Sequence, residues 1–174
     1  MTKSRFVLAC LLSVGLGSSL LAKDDTSLRF DGGIGVIPVS NVTVNADGSV
    51  TVSRNIVRGV NPSGQIWIID ALRANVRGDE IRVRGRGLLL GGGNNIGTNA
   101  NQSVFASLIC GQATPFTVHS TPTAGVPLDA NGDFLIDDVL APAPPFDCVN
   151  PVLLIRNPGG TWFAAGIVKH DDDN

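Results

Sequence analysis

The chain has no tyrosine, two histidines (His119 and His170), one glutamate (Glu80) and no methionine beyond Met1. General acid–base catalysis near neutrality draws mainly on histidine and tuned carboxylates, so the inventory for enzymatic chemistry is thin. A serine nucleophile would need a base and an orienting acid. His119 beside Ser120 is the one adjacent pair, and no G-x-S-x-G elbow accompanies it. Aromatics make up 5% of the chain, and Phe and Trp fall inside apolar runs. Stacking of bases or sugars on exposed rings is therefore not expected, nor is a nucleic-acid partner. No amphipathic helix is legible either.

Cysteine is scarce but informative. Cys10 lies in the first segment, where Lys3 and Arg5 precede an apolar run from Phe6 to Ala22, and Lys23-Asp24-Asp25 then turns polar. That order reads as a secretory signal peptide, residues 1–22, cleaved after Ala22. The run is short for a membrane span of ~20 residues and is interrupted by Ser and Gly. Cys10 stands too early for lipoprotein acylation. The mature chain keeps only Cys110 and Cys148, and an even pair in an exported chain reads as a disulfide. The expected location is secreted or periplasmic, with no transmembrane segment in the mature protein.

What the sequence does have is turns and alternation. The 21 glycines and 10 prolines punctuate short Val/Ile/Thr runs, which points to an all-β domain over residues 23–169, a single antiparallel sandwich or barrel of about ten short strands. An acidic tail, residues 170–174, follows. The clearest stretch runs from Gln65 to Gly93. Leu72, Ala74 and Val76 alternate with Arg73, Asn75 and Arg77, and after Gly78-Asp79 Ile81 and Val83 alternate with Arg82, Arg84 and Arg86. A two-residue turn at Gly78-Asp79 sets Arg77 opposite Glu80, Val76 opposite Ile81, Asn75 opposite Arg82, and Arg73 opposite Arg84. One face of that hairpin is then apolar, and the other carries Arg73, Arg77, Arg82, Arg84 and Arg86. A like-charge cross-strand pair is unfavourable, so acidic groups are expected over it.

Elsewhere, residues 28–39 read as an irregular edge strand or two short ones, and residues 42–52 as a second hairpin turning at Asn45–Ser49. Residues 55–60 read as a short strand. Ile66, Trp67, Ile68 and Ile69, apolar on both faces, read as a strand at the centre of a sheet. Residues 126–140 read as a third hairpin, and residues 151–157 and 161–169 as the last two strands. LDANGDFLIDDV, residues 128–139, resembles a turn common in secreted immunoglobulin-like and transthyretin-like sandwich domains. The resemblance implies a sandwich fold and brings no functional residues with it. The Gly-rich loop Gly91–Gln102 lacks the third glycine of a dinucleotide fingerprint, because Ile96 occupies that position, and no helix follows it.

Two candidate binding sites follow. The arginine face suits an anionic partner such as a surface glycan, a lipid headgroup or the acidic second half of another copy, since guanidinium forks match phosphate, sulfate and carboxylate. Asp129, Asn131 and Asp133, with Asp137 or Asp138, have oxygen spacing that could hold calcium, the one cofactor considered. Turn geometry explains the same residues without a metal. The expected function is a non-enzymatic binding or structural module, with an extracytoplasmic hydrolase of scattered site or a calcium-stabilised domain as alternatives. Asn41-Val42-Thr43 and Asn101-Gln102-Ser103 match the glycosylation pattern.

Overall fold

A computed structural model describes residues 27–169. The expected signal peptide and the acidic tail lie outside those residues. The described chain is all-β, with thirteen strands and no helix.

In chain order the strands are β1 (Ser27–Gly35), β2 (Val39–Val44), β3 (Val50–Arg54), β4 (Trp67–Ile68), β5 (Ala71–Arg77), β6 (Glu80–Arg86) and β7 (Leu89–Leu90). They continue as β8 (Ser103–Cys110), β9 (Thr117–Ser120), β10 (Val126–Pro127), β11 (Phe134–Val139), β12 (Val152–Arg156) and β13 (Trp162–Lys169). One antiparallel sheet runs β10-β8-β12-β13-β1-β5-β6-β11, with β9 added to β8. Its two ends, β10 and β11, lie against each other without a ladder between them, so the sheet nearly closes on itself. Two small ribbons, β2–β3 and β4–β7, stand outside it.

Alternation explains the inside. Phe30, Leu72, Val76, Ile81 and Val83 are buried, while their neighbours Arg29, Arg73, Arg77, Arg82 and Arg84 are exposed. Burying each large apolar side chain contributes on the order of 1.5–3 kcal/mol, and a one-residue slip would turn every one of them to water. That fixes the β5–β6 register, which pairs Arg77 with Glu80, Val76 with Ile81, Asn75 with Arg82 and Arg73 with Arg84, as the alternation requires. Trp67 stacks on Phe163 with ring centroids 4.0 Å apart and planes 11° from parallel. The Trp67 indole N–H donates to the Ser63 hydroxyl at 3.1 Å, satisfying its polar end in the core.

One turn is used three times. In Asn45–Ser49, Asp129–Asp133 and Asn157–Thr161 the first residue's amide donates to the fifth carbonyl, and the fourth residue, a glycine, donates to the first carbonyl. Those glycines, Gly48, Gly132 and Gly160, have φ of 81°, 80° and 86°, a left-handed conformation that glycine adopts at least cost. Cys110 and Cys148 form the disulfide, with Cα atoms 5.0 Å apart. It ties the end of β8 to the loop leading into β12.

Four expectations are corrected. Residues 28–39 do not make an edge: β1 lies between β13 and β5, because a bulge at Phe30–Gly33 bends the strand without ending it and Pro38 falls beyond its end. Residues 55–60 make no strand, only a bridge between Val57 and Val60, with Arg58 at φ 51° between them breaking the extended path. Ile66–Ile69 is not central. Only Trp67 and Ile68 pair, with β7, and Ile66 and Ile68 face outward. The third hairpin is a turn whose arms separate, since β10 pairs with β8 and β11 with β6. Pro127, lacking an N–H, limits the ladder that β10 can build.

Candidate functional site

The outward face of β13, β1, β5, β6 and β11 carries the densest charge in the described chain. Cross-strand pairing sets it out in rows. One row runs Lys169, Arg29, Asn75, Arg82, Asp137; the next runs Asp31, Arg73, Arg84, Leu135; a third runs Ser27, Arg77, Glu80, Val139. Neighbouring strands lie about 4.8 Å apart and same-face residues along a strand about 6.8 Å apart. Each cation therefore has another within reach of a single multivalent anion.

Five of the cations, Arg29, Arg73, Arg82, Arg84 and Lys169, line an open trough of about 550 Å³ together with Asp31. A second depression of about 440 Å³ shares Asp31, Arg73 and Arg84 with it and reaches Arg86. Among the described residues there are two ion pairs, both on this face. Arg73 Nε meets Asp31 at 3.2 Å, and Arg82 Nε meets Asp137 at 3.6 Å. Asp31 is the acidic group beside the Arg73–Arg84 pair, whereas Asp137 meets Arg82 in the neighbouring row. They come from the flanking strands β1 and β11, one on each side, and Arg84 itself receives none. All four paired side chains are at least half exposed, so each pair contributes at most about 1 kcal/mol. Asn75 sits between Arg29 and Arg82, its Oδ1 buried with no hydrogen-bond partner.

Arg156 and Arg58 serve the fold. Arg156 donates to the Gly160 carbonyl and the Ser107 hydroxyl and lies over Phe105; burial pushes its guanidinium below the usual value. Arg58 donates to the Gly111 and Asn150 carbonyls and lies 4.5 Å over Phe116, clamping the loops around the disulfide. Sequence alone does not separate these from the arginine face. Arg29 and Lys169, by contrast, were missed although each carries a signal: Leu28 and Phe30 flank Arg29, and Val168 precedes Lys169.

The other candidates are placed as follows. His119 is buried: its Nδ1–H donates to the Pro142 carbonyl at 2.8 Å, and Nε2 lies 3.1 Å from the Thr117 hydroxyl. A carbonyl can only accept, which fixes that tautomer. Ser120 points to the other side of β9 and bonds Ser107 at 2.8 Å, so the two residues form no nucleophile–base pair. Asn131 Oδ1 accepts the Asp133 amide, and Asp133 Oδ1 accepts the Gly87 amide at 3.1 Å. Two of the three candidate calcium ligands are thus engaged by backbone amides, Asn131 within the turn and Asp133 from Gly87 beyond β6. Among the described residues no three His, Cys, Asp or Glu side chains converge on one point.

No family model matches the chain, and comparisons with curated proteins and with solved structures find no match either. No helix among the described residues is long and apolar enough to cross a membrane. The disulfide is compatible with an extracytoplasmic location.

Proposed function

We propose that this is an exported, non-enzymatic binding module of barrel-like form, and that the arginine face is its contact surface for a polyanion. The supporting observation is the trough edged by Arg29, Arg73, Arg82, Arg84 and Lys169, of which Arg73 and Arg82 have carboxylate partners, Asp31 and Asp137. The strands hold these side chains at fixed spacing, so a chain bearing regularly placed sulfate, phosphate or carboxylate groups meets several at once. Guanidinium forks bind such groups bidentately. A basic field of this kind steers an anion in and weakens as salt screens it.

The experiment is affinity for a sulfated polysaccharide, and separately for vesicles of anionic lipid, measured at low and high salt. The protein is expected to bind the polysaccharide with strong salt dependence. Changing Arg73, Arg82 and Arg84 together to Ser is expected to weaken binding at least about tenfold, or 1.4 kcal/mol, and to flatten the salt response. Equal binding by the triple variant would overturn the reading. Binding to vesicles alone would move the partner to a lipid surface.

A further inference from the structure

The β2–β3 ribbon stands apart from the main sheet, and every residue of both strands is exposed. Its ladder sets Val42 opposite Val52 and Val44 opposite Val50, with Thr43 opposite Thr51 between them. Alternate residues share a face. One face is therefore four valines, and the other is Asn41, Thr43, Thr51 and Ser53. The valines are 55% (Val42), 71% (Val44), 58% (Val50) and 52% (Val52) exposed. A lone two-stranded ribbon is marginal in water, and a contiguous exposed apolar patch marks a contact site.

Charges bracket that face. Arg54 continues the valine side at the ribbon's base, and Asp47 sits in the turn at its tip. The Arg54 guanidinium spends one donor on the Pro62 carbonyl. Asp47 accepts from the Ser49 amide and hydroxyl at the tip. Neither belongs to an ion pair among the described residues.

We propose that the valine face is covered by the same face of a second copy, the two ribbons stacked tip to base about a two-fold axis. Spacing along β3 sets the register. An axis level with Thr51 lays Val50 of one copy on Val52 of the other, and Val44 on Val42. The same placement brings Asp47 of each copy to Arg54 of the other. The tip-to-tip two-fold instead sets Asp47 against Asp47 and Arg54 against Arg54. Charge thus selects between the two isologous arrangements. The face measures roughly 20 by 10 Å, well below the ~800 Å² per partner of a standard interface, so the dimer is weak and depends on concentration. The residues are distinct from those of the arginine face, and either inference can fail alone.

Sedimentation velocity on the mature chain from about 1 μM to 1 mM, the range of weak association, tests this. The sedimentation coefficient is expected to climb from monomer to dimer. Val42→Thr with Val52→Thr keeps strand propensity and removes apolar cover. It is expected to weaken association at least about tenfold with unchanged circular dichroism and melting. Arg54→Glu alone is expected to weaken the dimer, and adding Asp47→Arg to restore it. A monomer at every concentration would overturn the proposal. So would association indifferent to the Val→Thr pair, or a charge-swapped double variant no better than Arg54→Glu.

Discussion

Arg73 and Arg84 face each other across the β5–β6 ladder, and only Arg73 has a carboxylate beside it, Asp31 at 3.2 Å. Two guanidinium groups in direct register repel, and the fold tolerates this without a partner for the second. Arg84→Glu turns that repulsion into a cross-strand ion pair. It is expected to stabilise the protein by roughly 0.2–1 kcal/mol while weakening polyanion binding. A thermal melt and a binding titration on the same variant check both signs. Stability gained with binding unchanged would remove Arg84 from the contact surface.

Asp137 is the mirror case. Its carboxylate holds Arg82 at 3.6 Å, with both side chains about 60% exposed (60% and 61%), so it competes with any external anion for that guanidinium. Asp137→Asn is expected to tighten polyanion binding, most at low salt. The melting point should hold, because an exposed pair contributes at most about 1 kcal/mol. Titrations at two ionic strengths read the effect.

The sequence carries the β5–β6 hairpin in full because each of its arginines alternates with a residue the core must bury. What it does not carry is adjacency. Asp31 and Arg29 reach the face through β1, and Lys169 through β13, from the far ends of the chain. The Gly32-Gly33 pair and Pro38 obscured β1, since a bulge and a strand end look alike in a sequence. The Ile66–Ile69 run failed for a related reason: periodicity says which residues share a face, not which face is covered. The same ambiguity hides the β2–β3 ribbon, whose alternation is that of a core hairpin although the main sheet leaves it in water.

The Cys110–Cys148 bond closes a 38-residue separation, and in the chain-entropy account a loop of that size contributes about 4 kcal/mol. Cys110→Ser with Cys148→Ser is expected to lower the melting point by about 8–16 °C, at roughly 2–4 °C per kcal/mol for a domain of this size. The Arg58 clamp, which bonds Gly111 and Asn150 on either side of the bridge, should loosen with it. Calorimetry of the double variant and of the reduced protein gives the value.

Gly85 lies beneath Phe134, its pairing partner on β11, and a Cβ there would sit 2.0 Å from the ring. Phe134 is itself buried at 5% exposure, so the ring cannot swing out without opening the core. Gly85→Ala is expected to destabilise by about 1–3 kcal/mol, the cost of overpacking a filled site. Because the side chain points inward, polyanion affinity per folded molecule should not change. Denaturant unfolding and a binding titration separate the two.

Asp47 gives a pH readout confined to the ribbon tip. The Ser49 hydroxyl, first, and the Ser49 amide, second, hold its carboxyl below the usual value of 3.8. A carboxylate with a depressed folded value stabilises the turn above its unfolded pKa, and that contribution is lost as pH falls through the lower folded one. The turn should therefore stay intact through pH 4 and loosen only below the ordinary carboxylate range. The Ser49 amide resonance, followed by nitrogen–proton NMR at low protein concentration, is expected to move with a midpoint below 3.8. In Asp47→Asn that movement should vanish, because the side chain still accepts from Ser49 but no longer titrates.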